Sequence, residues 1–362
     1  MPMTFDTNED IRRHIEKSGH QYSTIHRVAN GLPIYCVQFG GSKMPAIVIT
    51  AGSHASEPAG VVGALRLLTE LKTDHTVFLV PNRDPMGLEG YQRYLKFALG
   101  GEEPNFSTNT ELANLLRTRG QVLHDDKDLV VAIIGDFAFA AMEPSPGSFG
   151  PSKVWLKIKK LLSEHSELRE RLKGKHVVVP TNQPDSEGCG VFERAYTCVV
   201  TDDGELKNLN RLFGVTAAPP EIRAVQSLVD LVQPGLNLDL HEGFGNGFYL
   251  IVPPFNGNRR AEEIGRGIVA SMKEKQVNLL TLEQLKPHFP DGGVNMHDLG
   301  DGILVEDVVK SDMQETMLAY STAKYGPGFG VEVGRSAPLE RRGQLHVWAT
   351  LAAVRVFEAQ HR

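Results

Sequence analysis

The chain has 362 residues, 41% hydrophobic and 23% charged, with 38 Lys+Arg against 44 Asp+Glu and a formal net charge of −6. That balance supplies apolar material for a large core, and no concentrated basic face is present to favour nucleic acid or an anionic membrane as partner. No stretch reaches the ~18 uncharged apolar residues of a membrane-spanning helix, so none is expected.

The first twenty residues, MPMTFDTNEDIRRHIEKSGH, are polar and lack the apolar core of a secretory signal. Cys36, Cys189 and Cys198 are scattered without CxxC spacing, the pattern of buried or half-buried thiols in a reducing compartment. A cytoplasmic protein is therefore the expectation.

In chain order, β-branched runs at 34–38 and 46–50 read as buried strands and 59–71 as an amphipathic helix. Strands follow at 76–80, 130–134 and 177–179, with a long charged helix at 152–172 between the last two. The pattern then repeats as helix 221–232, strand 236–240, helix 260–275, strand 330–333 and helix 338–359. Strands alternating with helices predict an α/β domain with a mainly parallel sheet covered on both faces. Residues 88–190 stand apart, with loop-rich pieces ALGGEEPNFSTN, EPSPGSFGPSK and PTNQPDSEGCG around the 152–172 helix. They read as an insertion or subdomain with its own elements, serving as a lid or an interface.

Three strand ends carry chemistry. Ile47-Val-Ile-Thr-Ala-Gly-Ser-His54-Ala-Ser-Glu57-Pro58 places a His and a Glu in the turn after a buried strand, at the edge where open α/β sheets hold ligands. A helix-capping Glu beside a surface His reads equally well there. Leu236-Asn-Leu-Asp239-Leu-His241-Glu242 ends a second strand in a His, with Asp239 on the same side two residues back and Glu242 facing away. His241 is either a core histidine or the third member of a His, Glu, His set, which leaves a fourth position open as in catalytic zinc sites. Asp239 is placed to orient its imidazole. In Gly328-Phe-Gly-Val-Glu332-Val-Gly-Arg335, Glu332 interrupts an apolar strand, as a general base or as the partner of Arg335. Asn208-Leu-Asn210-Arg211 offers a planar fork and an amide suited to a carboxylate, although such a pair is ordinarily only surface.

Taken in order, these pieces and Pro81-Asn-Arg-Asp-Pro-Met-Gly87 resemble the zinc carboxypeptidase family, including its succinylglutamate desuccinylase and aspartoacylase branch. The resemblance runs from about Ile47 to Arg335. It implies a mixed, mainly parallel eight-stranded sheet sandwiched by helices, with one Zn2+ per chain held by His54, Glu57 and His241. It implies that Asn210 and Arg211 hold a substrate carboxylate and that Glu332 is the general base. The oxyanion arginine falls to Arg194, sixteen residues before Asn210, with Arg93, Arg117 and Arg119 as rivals. The active-site tyrosine falls to Tyr325, with Tyr320 beside it, both nearer to Glu332 than the family pattern. The implied reaction is metal-assisted hydrolysis of an amide bond next to a free carboxylate, on a small peptide. An N-acyl amino acid, cleaved by a deacylase, is the alternative substrate, and a homo-oligomer is compatible with either. A non-catalytic carboxylate-binding protein would lack a ligand or the base, and none is missing. No GxSxG elbow supports a serine hydrolase, and Gly243-Phe-Gly245-Asn-Gly247 lacks the dinucleotide spacing.

Overall fold

The computed structural model describes residues 5–142, 150–181, 186–288, 295–306 and 315–362. The chain lays down β1 (Tyr22–Arg27), β2 (Pro33–Gly40), β3 (Lys43–Ala51) and β4 (His75–Val80), with α1 (Asn8–Lys17) before them and α2 (Pro58–Glu70) between β3 and β4. It then leaves this sheet to build another. The second sheet comprises β5 (Gln121–Asp125), β6 (Leu129–Ile134), β7 (Phe137–Met142), β8 (His176–Pro180), β9 (Ala195–Val200) and β10 (Leu206–Asn208). Its helices are α3 (Pro85–Leu88), α4 (Tyr91–Ala98), α5 (Asn109–Arg119), α6 (Gly150–Glu164) and α7 (Ser166–Leu172). After α8 (Pro220–Val232) the chain returns to the first sheet with β11 (Leu236–Gly243), β12 (Phe248–Val252), β13 (Met296–Asp298), β14 (Ile303–Glu306) and β15 (Gly328–Gly334). Helices α9 (Arg259–Glu274), α10 (Leu282–Leu285), α11 (Met317–Lys324) and α12 (Leu339–Ala359) complete the order.

The expected single eight-stranded, mainly parallel sheet is thus corrected to two mixed sheets, of nine and six strands among the described residues. The first runs β1-β2-β4-β3-β11-β15-β12-β14-β13, with parallel pairing concentrated at its centre, β4-β3-β11-β15. The second runs β10-β9-β8-β7-β6-β5 and is antiparallel except between β7 and β8. The helix expected over 152–172 is two, interrupted at His165, whose backbone is extended (φ −124°, ψ 94°). Residues 143–149 and 182–185, within two of the loop-rich pieces, lie outside the described residues.

Alternation along the central strands decides what faces where. Ile47, Ile49 and Ala51 of β3, Leu236, Leu238 and Leu240 of β11, and Phe329, Val331 and Val333 of β15 join one core with α1, α2, α9 and α12. The intervening residues turn to the opposite face, where Ala46 and Val48 pack against α8 and α11. Thr50, Asp239, His241 and Glu332 share that second face. The second sheet has its own two cores, one under α4 and α5 and one under α6 and α7.

Candidate metal centre

The parallel strands β3, β11 and β15 end side by side, with His241 opposite Glu332 and Asp239 opposite Thr50 in register. Beyond β3 the chain turns through Gly52 at φ +64°, where a Cβ would come within 2.4 Å of Asn82 Oδ1, so the close approach excludes larger residues. Pro58 starts α2 and fixes Glu57 just outside it, as the sequence predicts. Glu57 makes no capping bond to that helix. Instead Glu242, from the far face of β11, accepts the Ala59 amide at 2.7 Å and pairs with Arg342. The helix is capped from elsewhere, and Glu57 is free for another task.

That task is visible in its two oxygens. Oε1 lies 2.9 Å from His54 Nδ1 and Oε2 lies 2.8 Å from His241 Nδ1. Side-chain exposure is 13% for His54 and 7% for Glu57 and His241, which sets aside a surface histidine. One ligand atom from each residue lies within 4.8 Å of the others. Behind the rings, His54 Nε2 is 3.2 Å from Asn208 Oδ1 and His241 Nε2 is 2.7 Å from Asp239 Oδ2. Asn208 Oδ1 also accepts the Asn210 amide at 2.9 Å, which pins its orientation. Both acceptors lack a proton to give, so both Nε2 atoms donate. A neutral ring then presents its Nδ1 lone pair to a carboxylate, and only a cation between them, a proton or a metal, reconciles the three groups. Nitrogen and carboxylate donors held from behind in this way suit Zn2+ with one position left open.

The electrostatics follow the same lines. Burial raises the Glu57 carboxyl, but His54 and His241 outweigh it and hold it well below the usual carboxylate range. Burial lowers the His241 ring, while Asp239 and Glu57 raise it further, to well above an ordinary imidazole. Asp239 is fully buried; Thr50, Arg83 and His241 supply its hydrogen bonds at 2.7, 2.8 and 2.7 Å. Burial, partly offset by His241, pushes the Glu332 carboxyl up to about 7. Its Oε2 would lie 3.1 Å from a Cβ on Gly243, over the end of β11.

The other expected residues divide. Asn210 is buried beside His241, with Nδ2 3.3 Å from Nε2, and Arg211 follows it in a single 3₁₀ turn after β10. Arg194 is not at the metal set. Its guanidinium is consumed by Leu88 O, Glu193 O, Phe5 O and Asp6 Oδ1, fastening the amino-terminal segment. Arg93, Arg117 and Arg119 pair on the surface with Glu89, Asp125 and Glu102. The guanidinium beside the metal set belongs to Arg335, which donates to Glu57 Oε1 at 3.3 Å and Glu242 O at 2.9 Å. Tyr325 and Tyr320 both bind Asp230 of α8, and Tyr325 precedes β15, at the sheet edge opposite the ligands. Sequence reasoning missed Tyr196, whose ring stacks on His54 at 5.3 Å and 22°, and Arg83. An apolar run at 195–200 was the available signal for Tyr196.

No protein-family model matches the sequence, and no curated protein matches it. The fold matches solved structures. One is a metallo-carboxypeptidase from Burkholderia cenocepacia, with TM-score 0.50 and 11% identity over 97% of this chain and 69% of that one. Another is bovine thrombin-activatable fibrinolysis inhibitor, solved in complex with tick carboxypeptidase inhibitor. It matches with TM-score 0.50 and 12% identity over 99% of this chain and 98% of that one. At such identity the likeness is one of fold: this chain is built like a metallo-carboxypeptidase.

Proposed function

Starting from a metallo-carboxypeptidase-like fold, we propose that this protein is a zinc-dependent hydrolase that cleaves an amide bond next to a free carboxylate. The observation that carries the reading is the pair of Nδ1 atoms aimed at one carboxylate, with each Nε2 held by an acceptor behind it. When bound there, zinc supplies Lewis acidity, lowering the pKa of water and polarising a carbonyl.

The chain's own groups supply the rest. Glu332, raised to about 7, takes the proton of the attacking water and delivers it to the leaving nitrogen. Arg335, already hydrogen-bonded to Glu57, is the donor for negative charge developing on the scissile oxygen, the role the sequence assigned to Arg194. Arg211 and the Asn210 amide fix the substrate carboxylate, and Tyr196 forms a wall against His54. Small peptides with a free carboxyl terminus are the substrate class; N-acyl amino acids would make the enzyme a deacylase.

Purified enzyme assayed on both classes separates the two. The Glu332→Gln variant should keep its metal and lose about 10²–10⁴-fold in kcat. Full turnover in that variant would remove Glu332 from the mechanism.

A further inference from the structure

We propose that Arg83 is a positioning residue shared by the metal set and the carboxylate subsite, so that a single buried guanidinium aims both. The inference rests on the reading above and concerns a residue outside the ligand set.

Arg83 is 2% exposed and lies just after β4. Its backbone amide donates to Ala51 O at 3.1 Å and that of Asp84 donates to Gly52 O at 2.9 Å, so this segment is tied to the turn that carries His54. One terminal nitrogen, Nη2, makes two contacts. It lies 2.8 Å from Asp239 Oδ2, the same oxygen that accepts His241 Nε2 at 2.7 Å. It also lies 3.3 Å from Asn210 Oδ1, which the Met317 amide approaches at 3.4 Å. The face of the guanidinium is covered by the Phe213 ring, 5.5 Å away, and its Nε and Nη1 have no hydrogen-bond partner among the described residues. Its hydrogen bonding is concentrated on these two acceptors.

The consequences differ on the two sides. A fully buried Asp239 requires a countercharge to remain an anion, and Arg83 is its guanidinium partner. Without it, the carboxylate that steers His241 would lose the donor that holds its Oδ2 in place, and the imidazole would lose its aim. On the other side, two donors on Asn210 Oδ1 fix which way the amide faces. Removing Arg83 frees it to flip, exchanging Oδ1 for the Nδ2 that now lies 3.3 Å from His241 Nε2 and disturbing the donor that Asn210 offers a substrate carboxylate. A guanidinium that merely filled space would disturb neither.

The test compares the full-length wild type with Arg83→Met and Arg83→Lys. It reads zinc affinity by chelator competition, the visible spectrum of the Co2+-loaded protein, and kcat and KM separately on a carboxylate-bearing substrate. Loss of an outer partner of a ligating His costs roughly 10–100-fold in metal affinity, so Arg83→Met should weaken zinc by that factor, shift the Co2+ bands and raise KM about tenfold. Arg83→Lys should recover most of the metal affinity by restoring the charge. Arg83→Gln, which keeps a donor but drops the charge, carries the same expectation as the Met variant should that one fail to fold. A folded Met or Gln variant with wild-type zinc affinity, spectrum and KM would overturn this role while leaving the hydrolase reading intact. A wild type that takes up no metal would end both.

Discussion

His346 provides a stability prediction that can be worked through in numbers. It lies on α12, fully buried, and neither ring nitrogen has a hydrogen-bond partner among the described residues. Burial, reinforced by the positive neighbours His241 and Arg342, pulls its pKa from 6.5 down to about 3. The folded protein therefore holds a neutral ring, whereas the unfolded chain takes up a proton below pH 6.5. Stability from this group is fully present above pH 6.5 and is lost as pH falls toward about 3. A separation of about 3.5 units corresponds to about 5 kcal/mol over the whole window, and to about 2 kcal/mol already at pH 5. His346→Leu removes the titration and buries no unpaired nitrogen, so its stability at pH 7 should equal or exceed the wild type. Urea midpoints for both proteins at pH 7, 6, 5 and 4, with chelator present, give the difference. The gap should widen in favour of Leu as the pH drops. Parallel curves from pH 7 to pH 4 would refute the assignment.

Three further outcomes are expected. Gly63 on α2 packs so closely on α12 that an added Cβ would meet His346 Cβ at 2.5 Å, and Gly63→Ala should cost about 1–3 kcal/mol in urea unfolding. Arg335→Met should lower kcat by about 10²–10³-fold, the loss typical of an oxyanion donor. Arg194→Met should leave kcat within a few-fold of wild type while speeding hydrogen exchange near residues 5–6. The reverse pattern would return the oxyanion role to Arg194.

What could be read from the sequence follows from what each signal encodes. Period two along 236–243 placed Asp239 and His241 on one face and Glu242 on the other, and the structure has them so. The seven expected strands are present because each is a short run of mainly apolar residues, in most cases rich in β-branched ones, with side chains buried on both faces. Strands such as β1, with polar residues facing out, and β7, FAFAAM, rich in Ala, lack that signature. The six-stranded sheet was not foreseen for this reason. Its strands β10 and β9 supply Asn208 and Tyr196 to the site, contacts fixed only by tertiary packing. Arg194 was assigned by its distance along the chain from Asn210, yet four acceptors, two of them in the amino-terminal segment, decide where its fork points. Tyr325 was taken from the resemblance as a tyrosine preceding Glu332, although nearer to it than the family pattern, but β15 carries the chain from one sheet edge to the other between them.

Metal analysis of the purified chain is the most direct test of the account. Inductively coupled plasma mass spectrometry should find one zinc per wild-type chain. The Glu57→Ala and His241→Ala variants, checked for folding by circular dichroism, should hold almost none. A wild type that stays empty when dialysed against zinc, or folded variants that bind as much as it does, would contradict the claim that these three side chains form a metal centre.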